Sequence, residues 1–182
     1  MLKRVGVKSK ISSDVADIEA ADKLILPGVG AFDNGMKEIH SKGLSEVLSK
    51  KALVEKTPIL GVCLGMQLLT KRSEEGLLPG FGWIDADTVK FKTNLRVPHM
   101  GWNTLVHKDE SIFRTMPLGE RFYFLHSYHV VCNDKSNVIA TTNYGYDFAS
   151  VIQKDHMIGV QFHPEKSHRF GMTLLKNFSE IF

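Results

Sequence analysis

Cysteine is scarce: only Cys63 and Cys132 occur in 182 residues. Two thiols far apart argue against a disulfide scaffold and for a reducing, cytoplasmic setting. No apolar run approaches membrane-spanning length. The first residues, Met1-Leu2-Lys3-Arg4-Val5-Gly6, lack the apolar core of a signal peptide. A membrane partner is therefore not expected. Charge of one sign is also lacking. The balance is 23 Lys+Arg against 20 Asp+Glu, with the basic residues scattered, so no nucleic-acid footprint is present. The Gly-x-Gly at Gly28-Val29-Gly30 lacks a third glycine at dinucleotide spacing, and Gly-Lys-Ser/Thr does not occur. A phosphate loop is thus a weak reading. There are no internal repeats and no low-complexity tract.

What is present is one domain over 1–182 with room for a full core. Its organising stretch is Thr57-Pro58-Ile59-Leu60-Gly61-Val62-Cys63-Leu64-Gly65-Met66-Gln67. Ile59 to Val62 is a short apolar run after a proline, as in a buried parallel strand. Cys63 follows between two glycines, and 66–70 suits the first turns of a helix. A nucleophile on a sharp strand-to-helix turn is the G-x-S-x-G elbow, here with Cys for Ser. The flanking glycines have a steric reason, because the corner residue is strained and side chains two positions away would clash. The alternative reading is a buried cysteine in a core strand.

The chain before the elbow alternates. A helix tail at 1–4 is stopped by Gly6, and a strand is expected over 7–11. Asp14 caps a brief helix at 15–20. A strand at 23–26 runs into Pro27-Gly28-Val29-Gly30. Helices follow at 36–41 and 44–55, the second with Leu44, Val47, Leu48 and Leu53 on or near one face. This order predicts an α/β parallel sheet. After Gly80 the expected strands are short: 83–84, 88–91, 122–125, 128–131, 138–142, 148–153 and 157–162. That half reads as largely antiparallel or as a mixed extension of the sheet. A final amphipathic helix is expected over 171–181, with Met172, Leu175 and Phe178 spaced at three.

A cysteine nucleophile needs a base. His163 directly follows an apolar strand, and catalytic groups in such sheets gather at strand carboxyl ends. Glu165, two residues on, can accept from the far imidazole nitrogen and orient the ring. Leu64 N–H, next after the nucleophile, is one oxyanion donor. The Gly28-Val29-Gly30 turn is placed to supply the second. His126 and His129, three apart on a strand, would face opposite sides, which argues against a shared metal. They read as structural or site-lining. Cys132 reads as packing. Lys71-Arg72-Ser73-Glu74-Glu75 reads as a solvated helix end, with Glu75 able to face the site mouth.

With these residues in place, the chain resembles the class I, or triad, glutamine amidotransferases. Within them it is similar to the glutaminase subunits of imidazole glycerol phosphate synthase. The matching stretches are 26–32, 61–67, 73–76, 97–103, 123–128 and 159–167, which together reach over almost the whole chain. The resemblance implies a flavodoxin-like mixed, mostly parallel sheet flanked by helices. It implies glutamine as substrate, a triad of Cys63, His163 and Glu165, oxyanion donors at Val29 and Leu64, and no cofactor or metal. Gly28, Gly30, Gln67, Ser127 and Tyr128 fall at substrate-binding positions. Met100, Trp102, Tyr123 and Lys166 fall at the interface with a (β/α)8-barrel cyclase partner, to which ammonia is handed.

Two departures stand out. The family's first strand and its loop have no counterpart here, and Met1 to Val7 matches only the end of the following helix. The chain is therefore expected to be truncated, without the central strand that in this topology lies between the second and third and contributes two ladders of hydrogen bonds. The run Lys166-Ser167-His168-Arg169-Phe170 is more like paralogues that feed ammonia to the amidation of bacterial surface sugars. The remaining alternatives are a stand-alone cysteine hydrolase with the same elbow and a non-catalytic subunit that only binds.

Overall fold

The computed structural model describes residues 1–107 and 111–182. Its first half alternates as α1 (Val15–Glu19), β1 (Leu24–Gly28), α2 (Phe32–Ser41), α3 (Leu44–Ser49), β2 (Ile59–Cys63) and α4 (Leu64–Leu68). Strands β3 (Arg72–Ser73), β4 (Ala86–Lys90), β5 (His99–Asn103), β6 (Val106–His107) and β7 (Phe122–His126) follow. The remainder is β8 (Tyr128–Cys132), β9 (Val138–Asn143), β10 (Asp147–Lys154), β11 (Met157–Val160) and the closing helix α5 (His168–Ile181).

The main sheet runs β1-β2-β11-β10-β8-β4-β3, with β9 paired to β10 and β6. β1, β2 and β11 are parallel, whereas β11-β10, β10-β8, β10-β9 and β8-β4 are antiparallel. β5 and β7 form a separate antiparallel pair. The change of character in mid-chain is therefore real. Helices cover both faces, as parallel strands buried on two sides require. One apolar cluster joins α2, α3 and α4 through Phe32, Met36, Leu48, Met66 and Leu69. The other packs α5 through Phe170, Leu174 and Phe178 against Phe122, Phe124 and Phe162. Among the described residues no helix is long and apolar enough to cross a membrane.

β1 and β2 pair directly over five residues, Leu24↔Ile59 to Gly28↔Cys63. β1 is an edge of the sheet, and Met1, Leu2 and Ile25 pack against the second cluster beside it. Several expectations need correction. Residues 7–11 form no strand; they have no ladder partner, and Ile11 is fully exposed. Residues 83–84 are buried but bent, not extended. The helix expected over 44–55 changes to a π turn at Lys50–Val54. That change turns Leu53 out to solvent, 49% exposed. The expected helix end at 71–75 contains β3 instead. α2 and α5 begin earlier than expected, at Phe32 and His168. Asp14 does cap α1, accepting from Ala16 N–H at 2.8 Å.

Backbone contact between β1 and α4 positions the elbow. A Cβ on Gly65 would lie 1.8 Å from the Leu26 carbonyl oxygen, and one on Gly61 would lie 2.7 Å from the Gly65 oxygen. Only hydrogen fits at either place. Gly65→Ala is expected to cost about 3 kcal/mol or more of folding stability, since backbone cannot yield as a side chain does. A urea midpoint equal to that of the parent chain would contradict this packing.

Candidate active site

β2 delivers Cys63 to the sheet's carboxyl end, and α4 begins at the next residue. Cys63 has φ 54 and ψ −107, a region that costs a non-glycine residue about 1–3 kcal/mol and clusters at functional sites. The nearest parallel neighbours bring two further segments to the same level. β1 ends opposite it, with Gly28 in register with Cys63. β11 pairs Val160 with Val62, so the chain leading to His163 passes alongside. The elbow and both partner segments therefore follow from one short stretch of parallel register.

His163 is almost fully buried, and its Nδ1 lies 2.7 Å from Glu165 Oε1. Its backbone is pinned by Tyr123: the His163 N–H donates to the Tyr123 carbonyl at 2.8 Å. Ser167 closes the loop, accepting from Tyr123 N–H at 3.0 Å and donating to the His163 carbonyl at 2.7 Å. The imidazole is raised from 6.5 to about 9 by its hydrogen bond to Cys63 and then by that to Glu165, both outweighing burial. Burial works to raise the Glu165 carboxyl. The bond from His163, its own backbone N–H and the charges of His163 and Lys166 bring it below the ordinary value.

A cleft of about 450 Å³ opens over Cys63. Val29, Gly30, Leu64, Gln67, Ser127, Tyr128, His163 and Lys166 all line it. Gly28 lies one step behind, where an added Cβ would come within 2.8 Å of Leu64 Cβ. Met100, Trp102 and Tyr123 form an adjoining outer surface on β5 and β7. Met100 and Trp102 are 62% and 43% exposed, and Lys166 Nζ sits 5.4 Å from the centre of the Tyr123 ring. Lys166 thus belongs to both cleft and surface.

Glu75 also lines the cleft, and its Oε2 accepts the Phe32 N–H at 2.8 Å. Gln161 lies in the matching stretch 159–167 but has no role assigned from the sequence, yet it is fully buried with Nε2 3.8 Å from Cys63 Sγ. A glutamine inside an otherwise apolar strand run is the one signal of it. His126 and His129 do not face opposite sides. The strand breaks at Ser127, and both rings pack on Phe91 and Phe148. His126 lines the cleft, and burial drives it down to about 3. His129 is held by the Tyr146 hydroxyl at 2.8 Å. Cys132 is packed in the core, where burial pushes its thiol up to about 11.

The His163 pairing has a pH consequence. Its folded value lies above 6.5, so its stabilisation is complete below pH 6.5 and is lost as pH rises through about 9. Glu165→Gln removes the second contribution to that shift. In this variant the His163 ring is expected to titrate at lower pH by NMR, and stability between those limits is expected to fall. An unmoved midpoint would show that Glu165 does not hold the ring.

The family model for class-I glutamine amidotransferases matches residues 2–181. The chain is 50% identical over 184 residues to imidazole glycerol phosphate synthase subunit HisH 2 of Pseudomonas aeruginosa, covering 100% of this chain and 91% of the relative. It is also 50% identical over 181 residues to HisH 2 of Methanococcus maripaludis, covering 98% and 90%. A glutamine amidotransferase from Thermotoga maritima superposes with a TM-score of 0.66 at 18% identity, covering 97% of this chain and 82% of that one. The CTPS glutaminase domain of Trypanosoma brucei with bound acivicin gives 0.63 at 15% identity, covering 98% and 84%. These likenesses carry the fold, while the family model and the 50% identities carry the kinship: the chain belongs to the class-I glutamine amidotransferases.

Proposed function

We propose that this protein is a glutaminase subunit that hydrolyses glutamine to glutamate and ammonia and passes the ammonia to a cyclase partner. The observation that carries this reading is the line of Cys63, His163 and Glu165 at the mouth of the elbow. Cys63 gives its proton to His163, and the sulfur attacks the carboxamide carbon of glutamine. The C–N bond then breaks as His163 protonates the leaving nitrogen, which departs as ammonia. Water, deprotonated by His163, attacks the thioester; the C–S bond breaks and glutamate leaves. Glu165 holds the ring and stabilises its charge. The backbone N–H groups of Val29 and Leu64 serve the oxyanion. Gln67, Ser127 and Tyr128 hold the amino-acid end of the substrate, with Gly28 and Gly30 leaving room on the oxyanion side. The Glu75 carboxylate offers a counter-charge to the substrate's ammonium.

The names of the 50%-identical relatives, subunits of imidazole glycerol phosphate synthase, support a synthase partner in histidine biosynthesis; in this proposal that partner is a (β/α)8 barrel that makes imidazole glycerol phosphate and AICAR. The docking surface is the patch of Met100, Trp102, Tyr123 and Lys166. A second reading of the acceptor, the amidation of a bacterial surface sugar, is favoured by one observation. His168, in the segment that departs from the family pattern, stacks on Trp102 with ring centres 5.4 Å apart and planes 5° apart. The departure therefore lies on the docking surface, where a different partner would read it.

Cys63→Ala is the direct test. With the synthase present, glutamine-dependent product formation is expected to fall by on the order of 10⁴-fold or more. Product formation from free ammonium should persist, because the partner's chemistry is intact. Retained glutamine turnover in this variant would remove Cys63 as the nucleophile. Supplying a surface-sugar synthase in place of the cyclase separates the two acceptor readings: the true partner is the one that stimulates hydrolysis.

A further inference from the structure

We propose that Gln161 is a further catalytic residue, whose carboxamide holds an N–H donor on the sulfur of Cys63 and stabilises the attacking thiolate. The inference rests on the reading of Cys63 as nucleophile. Register explains how a residue far away in sequence arrives there: β11 pairs Val160 with Val62, and one further step sets Gln161 beside Cys63. Its backbone is fixed by an N–H bond to the Ser150 carbonyl at 2.9 Å. Its side chain is fully buried, so no water competes for its polar atoms.

An amide presents nitrogen at one end and oxygen at the other, and a flip would exchange them. Here the network allows one orientation. The Tyr128 carbonyl can only accept, and it lies 3.2 Å from Gln67 Nε2. Gln67 must therefore point its nitrogen this way. The same nitrogen lies 3.1 Å from Gln161 Oε1. That contact uses the oxygen of Gln161 and leaves its Nε2, 3.8 Å from Cys63 Sγ. Flipping Gln161 alone would set N–H against N–H at Gln67 and oxygen against sulfur. Flipping both would set carbonyl against carbonyl at Tyr128. Thus an acceptor-only backbone oxygen, two side chains away, dictates that the sulfur meets a donor.

The donor is needed most once the thiol ionises. As a thiol, Cys63 can donate to the Leu125 carbonyl at 3.9 Å. When the proton moves to His163, that carbonyl faces an anion and becomes repulsive. The Gln161 N–H then changes from a weak contact to a charge-assisted one.

Two variants separate the N–H from the rest of the side chain. Gln161→Met keeps the length of the side chain and deletes the donor without adding a charge; Gln161→Leu removes length and donor together. Alkylation of Cys63 by iodoacetamide, followed by mass spectrometry of the Cys63 peptide across pH, is the readout. In both variants the alkylation midpoint is expected to move to higher pH by about one unit or more. kcat for glutamine should fall about tenfold to a hundredfold with KM changed by less than about threefold. A variant that melts like the parent and keeps the parent's alkylation profile overturns the proposal.

Should the variants fail to fold, the unaltered chain still decides. The side-chain amide NMR signal of Gln161 is expected to move with pH at the midpoint of Cys63 alkylation, and to lose that dependence in Cys63→Ala. A signal that stays flat through the Cys63 midpoint overturns the proposal. Because these readouts follow the sulfur and not turnover, they stand apart from a failure of the glutaminase reading itself.

Discussion

The rest of the site depends on the approach of two backbones: α4 lies so close to β1 that the Gly65 position leaves no space for a Cβ beside the Leu26 carbonyl. That contact holds the strand-to-helix corner, and the corner forces Cys63 into φ 54. The strain of a non-glycine residue there is offset by the packing on both sides of β2, where Leu60 and Val62 meet one cluster and Ile59 meets the other. Relaxing the corner would withdraw the sulfur from the cleft. The glycines of the elbow thus carry a functional geometry through sterics alone.

Polar order in the site follows from groups that have one role only. The Tyr123 and His163 backbones are clasped through the Ser167 hydroxyl, which fixes the backbone from which the imidazole projects. The Tyr128 carbonyl accepts from Gln67 and also faces His126 Nδ1 at 2.8 Å. His126 Nδ1 must then be the protonated nitrogen, which leaves Nε2 to accept from His99 Nδ1 at 3.1 Å. His99 and His126 are driven down to about 4 and about 3 by burial, so both rings are neutral at ordinary pH. Beside them His163 is raised to about 9. Charge is thereby confined to the one imidazole that meets both a thiol and a carboxylate.

Much of this is legible in the order of residues. Ile59 to Val62 reads as a buried strand because it is short, apolar and opened by proline. Glycines at the second neighbours make Cys63 a corner. His163 and Glu165 are readable because they are local: the spacing of two is what lets the carboxylate reach Nδ1. Gln161 is not readable in this way. Of its partners, Cys63 is brought to it by parallel register between β2 and β11 and Gln67 by the helix that follows, and a single polar residue in an apolar run carries no sign of that pairing. Opposite faces for His126 and His129 do not hold, because period-two reasoning assumes an unbroken strand and the bend at Ser127 puts both rings on Phe91. Leu24 to Gly28 and Ile59 to Cys63 are each recognisable as strands, but which strand lies beside which is a tertiary choice.

The central claim is that the strained sulfur of Cys63, and no other group, takes the acyl group of glutamine. Acid quenching of the protein during turnover, with its synthase partner and glutamine present, would capture the covalent intermediate for peptide mass spectrometry. The expected result is a γ-glutamyl thioester on the Cys63 peptide and an unmodified Cys132, with the label lost on incubation at neutral pH as water completes the reaction. Full turnover with no adduct on Cys63, or with the glutamyl group on another residue, would contradict it.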